Sequence, residues 1–297
     1  MRDVFLIAQF ELFRAIRTWR AVALVLLYAV ATIGAGYLFA NAIGLAEKAL
    51  AESLGVAATE VPGAMMDDLI ASDGFMEVLR AMVGSTDGAE RLMEVPLAAI
   101  FHLWLGFLLV PFFAASASAE SIAIDMNNRA IRFEALRTSR MALVLGRFAG
   151  QLTLTGVASL AAALCMWGTV MWMMVVQEPV ALAGWLGWYT VRTWCFAVPF
   201  VGFGVACSQW TTSAAWARVM AVGGTAGSWV LYGIAQVMIE EDWFPMVADV
   251  LVQVLPQGWI RGMWDPGTGW ILSCIVCVGL GLSSLLFGYV RFARRDL

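Results

Sequence analysis

The chain has 297 residues, of which 61% are hydrophobic and 13% are charged, and its mean hydropathy is +0.80. About a quarter of the residues in a soluble domain carry charge. The composition therefore excludes an ordinary soluble enzyme and indicates a bundle of several membrane spans. The net charge of −4 gives no reason to expect nucleic acid as a partner.

The residue types that carry catalysis or metal binding are scarce. Lys48 is the single lysine and no Gly-Lys-Ser/Thr sequence occurs, which excludes a phosphate-binding loop of the GxxxxGK[ST] kind. His102 is the single histidine, which excludes paired-His haem sites and HExxH zinc sites. The five cysteines all fall in apolar runs, where thiols are usually inert. We therefore expect no catalytic residue, metal or cofactor on this chain.

Residues 1–20 are predicted to form an amphipathic helix that lies along the inner membrane surface. Apolar residues recur at steps of three or four and form one stripe: Phe5, Ala8, Leu12, Ile16 and Trp19. The polar side chains lie on the opposite side of this helix: Glu11, Arg14, Arg17 and Thr18. The alternative is a plain basic anchor that only fixes the orientation of the first span.

Six apolar runs, each long enough to cross a bilayer, predict six spans. The first run exceeds the usual length of a cleaved signal peptide, so we expect it to be retained. An even number of spans places both termini on one side, with residues 291–297 as a short cytoplasmic tail. The six spans cover residues 21–43, 95–118, 148–176, 181–208, 217–239 and 266–290.

The distribution of charge fixes the predicted orientation. With the termini inside, the inner segments hold 13 basic and six acidic residues, whereas the outer segments hold four basic and 16 acidic residues. This excess of arginine on one side follows the positive-inside rule. We therefore expect a multi-pass protein of the cytoplasmic (inner) membrane with both termini in the cytoplasm.

Two outer segments stand out between the predicted spans. Residues 44–94 form an acidic insert in which helical spacing alternates with turn signals, and we expect a small helical cap there or a flexible loop. Residues 240–265 contain an apolar stretch too short to cross the membrane, which predicts a re-entrant or interfacial segment.

The longest inner loop, residues 119–147, is the most informative polar stretch. Asp125 and Arg129 stand four residues apart, and Glu134 and Arg137 three apart, so both pairs are expected to support short helices. Together with Ile131, exposed apolar residues such as Phe133 and Leu136 would give such a helix a contact surface. The loop therefore favours docking onto a cytoplasmic partner, while the alternative is a plain positive-inside loop.

The whole pattern resembles the membrane (permease) subunits of type-2 ABC exporters, the ABC-2-type permease family. The inner lying helix, the six spans, the outer insert and the re-entrant segment all match that architecture. The most specific likeness is local: Glu120 after the second span, the stretch RFEALRTSRMALVLGRFAGQ with Gly146-Arg147 opening the third span, and the tail RFARRDL. The acidic insert of 51 residues is longer than the bare connection expected at that position.

This resemblance implies a transmembrane subunit that forms a translocation pathway as a dimer. Two such permeases, identical or related, would each dock a separate cytoplasmic ABC ATPase subunit, giving two ATPase copies that hold the ATP and magnesium. The hydrolysis would then lie on a partner chain, so this chain would not itself be an enzyme. The residues that the resemblance assigns to ATPase coupling are Glu120, Asp125, Arg129, Arg132, Phe133, Glu134, Leu136, Arg137, Arg140 and Arg147.

Two features leave alternatives open. Arg192 is the clear ionisable residue inside a predicted span, and it either contacts substrate in the pathway or extends its side chain to the outer surface. Gly223 and Gly227 form a GxxxG pair that serves either as a dimer seam or as a contact inside one subunit. The alternative function is an ion-coupled carrier or channel that works without an ATPase.

Overall fold

The structure, a computed structural model, describes residues 2–57, 61–83 and 86–295. Every regular element in these ranges is a helix, which confirms the predicted all-α fold. Six of the helices are long and apolar enough to cross a membrane, as predicted. They are α2 (Arg20–Leu54), α6 (Leu97–Ser118), α9 (Arg140–Met173), α10 (Pro179–Trp210), α11 (Ala214–Glu240) and α14 (Trp270–Ala293).

Shorter helices fill the segments that precede or connect these six. A 3₁₀ turn, Pro256–Trp259, completes the outer connection before the last long helix. The shorter helices are α1 (Arg2–Arg17), α3 (Met66–Ile70), α4 (Asp73–Val83), α5 (Thr86–Leu92), α7 (Ala123–Asn127), α8 (Ile131–Ala135), α12 (Pro245–Val254) and α13 (Ile260–Trp264).

Several long helices continue past the ends of their apolar runs. Helix α2 extends beyond residue 43 to Leu54 because the residues that follow are mostly good helix formers such as alanine, leucine and glutamate. At 35 residues it measures about 50 Å, which exceeds the roughly 30 Å hydrocarbon core of a bilayer. Gly55, in a left-handed conformation with φ 68°, ends it. The predicted span boundaries thus mark changes in polarity rather than helix ends.

The outer insert folds as a small helical cap on the ends of the long helices. Leu79 and Leu92 are buried in the continuous hydrophobic core. The buried Glu47 carboxylate accepts hydrogen bonds from the backbone N–H groups of Gly63 and Met65, at 3.0–3.1 Å. The residues 58–60 and 84–85 of the insert lie outside the described ranges.

Helix α1 folds back along α9 with its polar side turned toward the protein. Trp19 has a left-handed conformation with φ 59° and makes the sharp turn from α1 into α2. A Cβ added at Gly146 would lie 2.6 Å from the Cβ of Ile7, and one added at Gly150 would lie 2.9 Å from the Cβ of Glu11. The two glycines therefore allow α1 to approach α9 closely enough to bury Glu11.

The apolar side of α1 faces away from the rest of the chain. Phe5, Ile16 and Trp19 are exposed, and Leu12 is half-buried. This outward apolar face fits the predicted helix on the membrane surface, because such a helix buries its apolar side among lipid headgroups and acyl chains.

Helix α10 is the centre of the bundle and packs against α6 and α14. It crosses α14 at two glycines, Gly202 and Gly281. A Cβ added at Gly202 would lie 2.2 Å from the carbonyl oxygen of Gly281, so the two backbones are in direct contact. Small residues at such crossings let membrane helices approach closely.

The outer segment before the last long helix folds into a helical hairpin of α12, the 3₁₀ turn and α13. Helix α12 has ten residues, about 15 Å, and is too short to cross the membrane. The Gln257 side-chain amide donates to Ser228 Oγ, near the middle of α11, at 2.7 Å. This contact supports the re-entrant segment, which stays a prediction.

Adding a methyl group at the α10–α14 crossing tests the packing of the bundle. We expect Gly202→Ala to lower the stability of the detergent-solubilised protein by about 1–3 kcal/mol, because the backbone of Gly281 has to move away. The matched control is Gly279→Ala, since Gly279 is exposed on α14 and has open space around it. Equal thermal unfolding midpoints for the two variants would contradict the close crossing.

Candidate functional site

Five charged residues from three distant parts of the chain meet behind the inner loop, and we call them the inner ion cluster. Glu11 and Arg14 come from α1, Asp125 and Glu134 from α7 and α8, and Arg147 from α9. The close approach of α1 to α9 makes this convergence possible. The inner ion cluster therefore connects the N-terminal helix, the inner loop and a long helix.

Arg147 is the centre of the inner ion cluster and is fully buried. Its Nη1 donates a hydrogen bond to Glu11 Oε2. Its Nη2 donates to Asp125 Oδ2 at 2.5 Å and to Glu134 Oε2 at 2.9 Å. One planar guanidinium thus joins three carboxylates, a geometry that a lysine ammonium cannot reproduce.

Arg14 provides the second positive charge. Its Nη1 lies 2.8 Å from both carboxylate oxygens of Asp125. Its Nη2 donates to Glu11 Oε1 and to the backbone carbonyl of Ser121, both at 3.2 Å. Gln151, one turn after Arg147 on α9, donates from Nε2 to Glu11 Oε1 at 2.9 Å. The Glu11 carboxylate is therefore bound by three side chains.

Burial makes this network costly to break. Removing one partner of a buried ion pair leaves an uncompensated charge and typically costs about 3–5 kcal/mol. Three carboxylates face two guanidinium groups here, and all three contact Arg147. Without Arg147 the carboxylates of Glu11, Asp125 and Glu134 would repel one another. The inner ion cluster therefore holds the inner loop to α1 and α9.

The two local ion pairs predicted from the sequence do not form within the described residues. Asp125 and Glu134 point inward to Arg147 instead of pairing with Arg129 and Arg137. Arg129 has a left-handed conformation with φ 58°, which ends α7 and starts the turn into α8. Asp125 and Arg129 therefore do not lie on one continuous helix, and the sequence expectation for both pairs was wrong.

The opposite side of the inner loop presents a mixed apolar and basic surface. Phe133 and Leu136 are 72% and 84% exposed, and Arg132 and Arg137 beside them are exposed as well. Ile131, in contrast, is buried and anchors α8 in the core. We call Arg132, Phe133, Leu136 and Arg137 the outward patch of the inner loop.

Arg140 connects the end of the inner loop to the end of the last long helix. Its Nη1 donates to the carbonyl oxygens of Ala293 and Arg295, at 2.7 and 2.9 Å. A basic side chain at this place satisfies carbonyl groups that have no partner within the helix, and it interacts favourably with the helix dipole.

Helix α10 also holds the inner loop at its inner end. The hydroxyl oxygen of Ser208 accepts hydrogen bonds from the backbone N–H groups of Ile122 and Ala123, both at 2.8 Å. Arg295 in the tail donates from Nη2 to the carbonyl oxygen of Trp210 at 2.7 Å. The loop is therefore fixed to the central helix as well as to α1 and α9.

Next to the inner ion cluster lies an open cavity of about 470 Å³, which we call the inner cavity. Its walls come from α1, α2, α9, α11, the end of α6 and the segment from there into α7. Glu120 and Arg218 form an ion pair at its rim. Glu120 thus belongs to the cavity and not to the inner ion cluster.

Arg192 is fully buried and holds the outer hairpin. Its Nη1 donates to the backbone carbonyls of Met263 and Asp265, both at 2.8 Å. Its guanidinium carbon lies 5.0 Å from the ring centre of Tyr189 and 5.4 Å from that of Trp270, distances typical of cation–π contacts. Arg192 therefore does not reach the outer surface, and these contacts favour a structural role over contact with substrate in a pathway.

The Asp265 side chain continues this outer contact. It accepts hydrogen bonds from the N–H groups of Gly267 and Gly269, and Arg91 of the outer insert lies 3.3 Å away. Burial acts to raise the pKa of the Asp265 carboxyl, but these hydrogen bonds and Arg91 together hold the pKa below its ordinary value. The hairpin, the insert and α10 are thus joined at the outer end.

The sequence reasoning missed Glu11, Gln151 and Ser208. The spacing of Gly146 and Gly150 on α9 was the available signal, because small residues four apart allow a second helix to approach. That signal indicates a close contact but does not name the residue that fills it. Arg17, on the same helix as Glu11, is exposed and joins no ion pair within the described residues.

The chain matches the family model described as ABC-2 family transporter protein over residues 5–297. No curated protein matches it. The family match spans nearly the whole chain and agrees with the six long apolar helices. The chain therefore belongs to the ABC-2 family of transporter proteins and is the multi-pass membrane permease subunit of an ABC transporter.

Proposed function

We propose that this permease is the transmembrane subunit of an ATP-driven exporter and that the outward patch of the inner loop docks the cytoplasmic ATPase subunit. The observation that carries the proposal is the two-sided inner loop. Phe133 and Leu136 are exposed on one side, while Asp125 and Glu134 bind the buried Arg147 on the other. Permeases of this family pair with a cytoplasmic ATPase subunit.

A rigid connection from this patch to the long helices supports coupling. A force on α8 passes through Glu134 to Arg147 on α9, and through Asp125 to Arg14 on α1. It also passes through the backbone at 122–123 to Ser208 on α10. Closure of the ATPases would then tilt these helices together and open the pathway toward the outside.

The proposed assembly contains two identical permeases and two ATPase subunits that bind ATP and magnesium. Helices α2 and α11 are the least buried of the six long helices and offer faces for a second permease. A Cβ added at Gly223 or Gly227 on α11 would meet no atom of the described chain within 4 Å. The GxxxG pair thus makes no close contact inside one subunit, which favours its use as a dimer seam.

The alternative function, an ion-coupled carrier or channel, receives less support. It requires ionisable groups that face a pathway near the middle of the membrane. Arg192 is the residue that the sequence offers for this role, and it is enclosed by aromatic rings and bound to backbone carbonyls. We therefore retain the ATP-driven exporter.

Charges on the outward patch should prevent ATPase docking. We expect Phe133→Asp with Leu136→Asp to reduce recovery of the ATPase in a pull-down by tenfold or more, because both side chains are exposed and make few contacts that folding needs. The matched control is Leu54→Asp with Val56→Asp, which changes two exposed apolar residues at the outer side. Unchanged recovery with the first pair of changes would exclude docking through this patch.

Replacing the central guanidinium should uncouple the inner loop from the helices. In Arg147→Lys the charge remains, but one compact ammonium group replaces the two separate Nη atoms that bind Glu11 on one side and Asp125 with Glu134 on the other. We expect hydrogen exchange to become faster in α1 and in residues 121–139, and transport to fall about tenfold or more. Arg91→Lys, in the exposed outer ion pair, is the control. Equal protection of α1 in wild type and Arg147→Lys would contradict the central role of Arg147.

The proposed orientation places the inner ion cluster in the cytoplasm and both termini on that side. We expect a membrane-impermeant maleimide to label Ser53→Cys in intact cells and to label Asn128→Cys only after permeabilisation, since both positions are exposed on the protein surface. A cysteine-free background removes the five native thiols. Labelling of residue 128 in intact cells would exclude a cytoplasmic ATPase as the partner of the inner loop.

A further inference from the structure

The inner cavity has features of a ligand site that neither docking nor coupling explains. It lies where α1 turns into α2 and where α11 begins, at the proposed cytoplasmic surface of the membrane. Its volume of about 470 Å³ falls within the range of pockets that hold small ligands. It opens to the surroundings, so a ligand has access to it.

Two pairs of opposite charges line the inner cavity: Glu11 with Arg14, and Glu120 with Arg218. Glu11 and Arg14 are also bound within the inner ion cluster, so Glu120 and Arg218 are the charges that a ligand reaches at the rim. A headgroup with one positive and one negative group finds an opposite charge in this pair for each of its ends. A ligand with a single net charge would leave one member of the pair unmatched in a partly desolvated site, which is unfavourable.

Two residues that line the inner cavity each hold a buried polar atom that lacks a partner among the described residues: Ser121 Oγ and Gln151 Oε1. Ser121 is 2% exposed and Gln151 is 5% exposed. A buried polar atom without a hydrogen bond costs free energy, which a ligand recovers when it supplies the bond. The hydroxyl offers a donor to a phosphate oxygen, and the amide oxygen accepts from an ammonium N–H.

Most of the remaining wall is apolar. It includes Ala21 and Leu24 at the start of α2, Ala117 near the end of α6, and Leu154 on α9. Helix α2 itself is exposed along most of its length. An acyl chain that leaves the cavity along α2 would therefore contact apolar side chains.

We propose that the inner cavity binds a membrane amphiphile whose headgroup carries a phosphate and a primary ammonium group, as phosphatidylethanolamine does. The inference deepens the proposed function, because it rests on the proposed orientation of the permease. The phosphate binds at Arg218 and the hydroxyl of Ser121, and the ammonium binds at Gln151 Oε1 and the neighbouring acids.

Native mass spectrometry of the full-length permease in a maltoside detergent tests this assignment. Phosphatidylethanolamine, phosphatidylcholine and phosphatidylglycerol are added at equal concentration. We expect at least about threefold preferential retention of phosphatidylethanolamine, because the choline group has no N–H donor and the glycerol headgroup has no positive charge. Equal retention of the three lipids would overturn the proposal.

Two variants assign the binding to the inner cavity. We expect Gln151→Leu and Ser121→Ala each to reduce retention of phosphatidylethanolamine about threefold to tenfold, as loss of one hydrogen bond predicts. The control is Ser159→Ala, which removes another buried hydroxyl without a partner, on α9 but outside the cavity wall. Equal retention by Ser121→Ala and Ser159→Ala would overturn the site.

A charge change at the rim tests whether the cavity selects a headgroup that carries both charges. This variant leaves the buried Ser121 and Gln151 unchanged. Glu120→Gln leaves Arg218 without its carboxylate partner. We expect this variant to shift the preference toward phosphatidylglycerol, because Arg218 still attracts a phosphate and no carboxylate at the rim attracts the ammonium group. An unchanged order of lipid preference would show that charge balance does not select the headgroup.

A soluble headgroup compound distinguishes a lipid ligand from a water-soluble one. We expect phosphoethanolamine, added at the same concentration as the lipid, to displace little of it, because the apolar wall contributes to binding. Displacement as efficient as that by unlabelled phosphatidylethanolamine would overturn the amphiphile. These measurements use the permease without its ATPase. A negative lipid result would therefore not contradict docking at Phe133 and Leu136, and a negative docking result would not contradict lipid binding.

Discussion

The inner half of this permease depends on neutralising Arg147. A guanidinium group that is removed from water must be paired, and its partners must also satisfy its hydrogen-bond donors. Glu11, Asp125 and Glu134 pair with it from three separate elements and accept hydrogen bonds from both of its Nη atoms. The burial of one charge therefore fixes the position of α1, of the inner loop and of α9 relative to one another.

This constraint explains why the inner loop presents two different sides. Asp125 and Glu134 pair with the buried Arg147 and not with arginines of their own helices. The short helices α7 and α8 therefore depend on tertiary contacts for their stability. Phe133 and Leu136, which are not needed for those contacts, remain on the surface. The inner loop thus has one side fixed to the permease and one side on the surface. An element needs both if it is to bind a partner and transmit the partner's movement to the helices.

Much of the architecture could be predicted from the sequence, because length, hydropathy and arginine placement follow from the physics of the bilayer. The six long helices, the amphipathic α1 and the helical insert come from those patterns. The helix ends were harder to predict from the sequence. Helix α2 continues to Leu54 because the residues after its apolar run are more polar but still have high helix propensity.

The partners of the charged residues could not be predicted in this way. Asp125 and Arg129 have the spacing of a helical ion pair, but the left-handed conformation at Arg129 and the demand of the buried Arg147 prevent it. Glu11 looked like a residue on a polar helix side, and only the packing of α1 against Gly150 shows that it is buried. Long-range pairing depends on which helices are neighbours, which local spacing does not encode.

The buried Arg192 has an electrostatic consequence for the outer end of the bundle. No carboxylate within the described residues lies within ion-pair distance of it, so its charge depends on aromatic faces, on the carbonyl dipoles of Met263 and Asp265 and on the more distant Asp265 carboxylate. A positive charge that is removed from water is unfavourable without such partners. The hairpin and α10 therefore stabilise each other, because the hairpin backbone supplies the carbonyl groups that the Arg192 guanidinium needs.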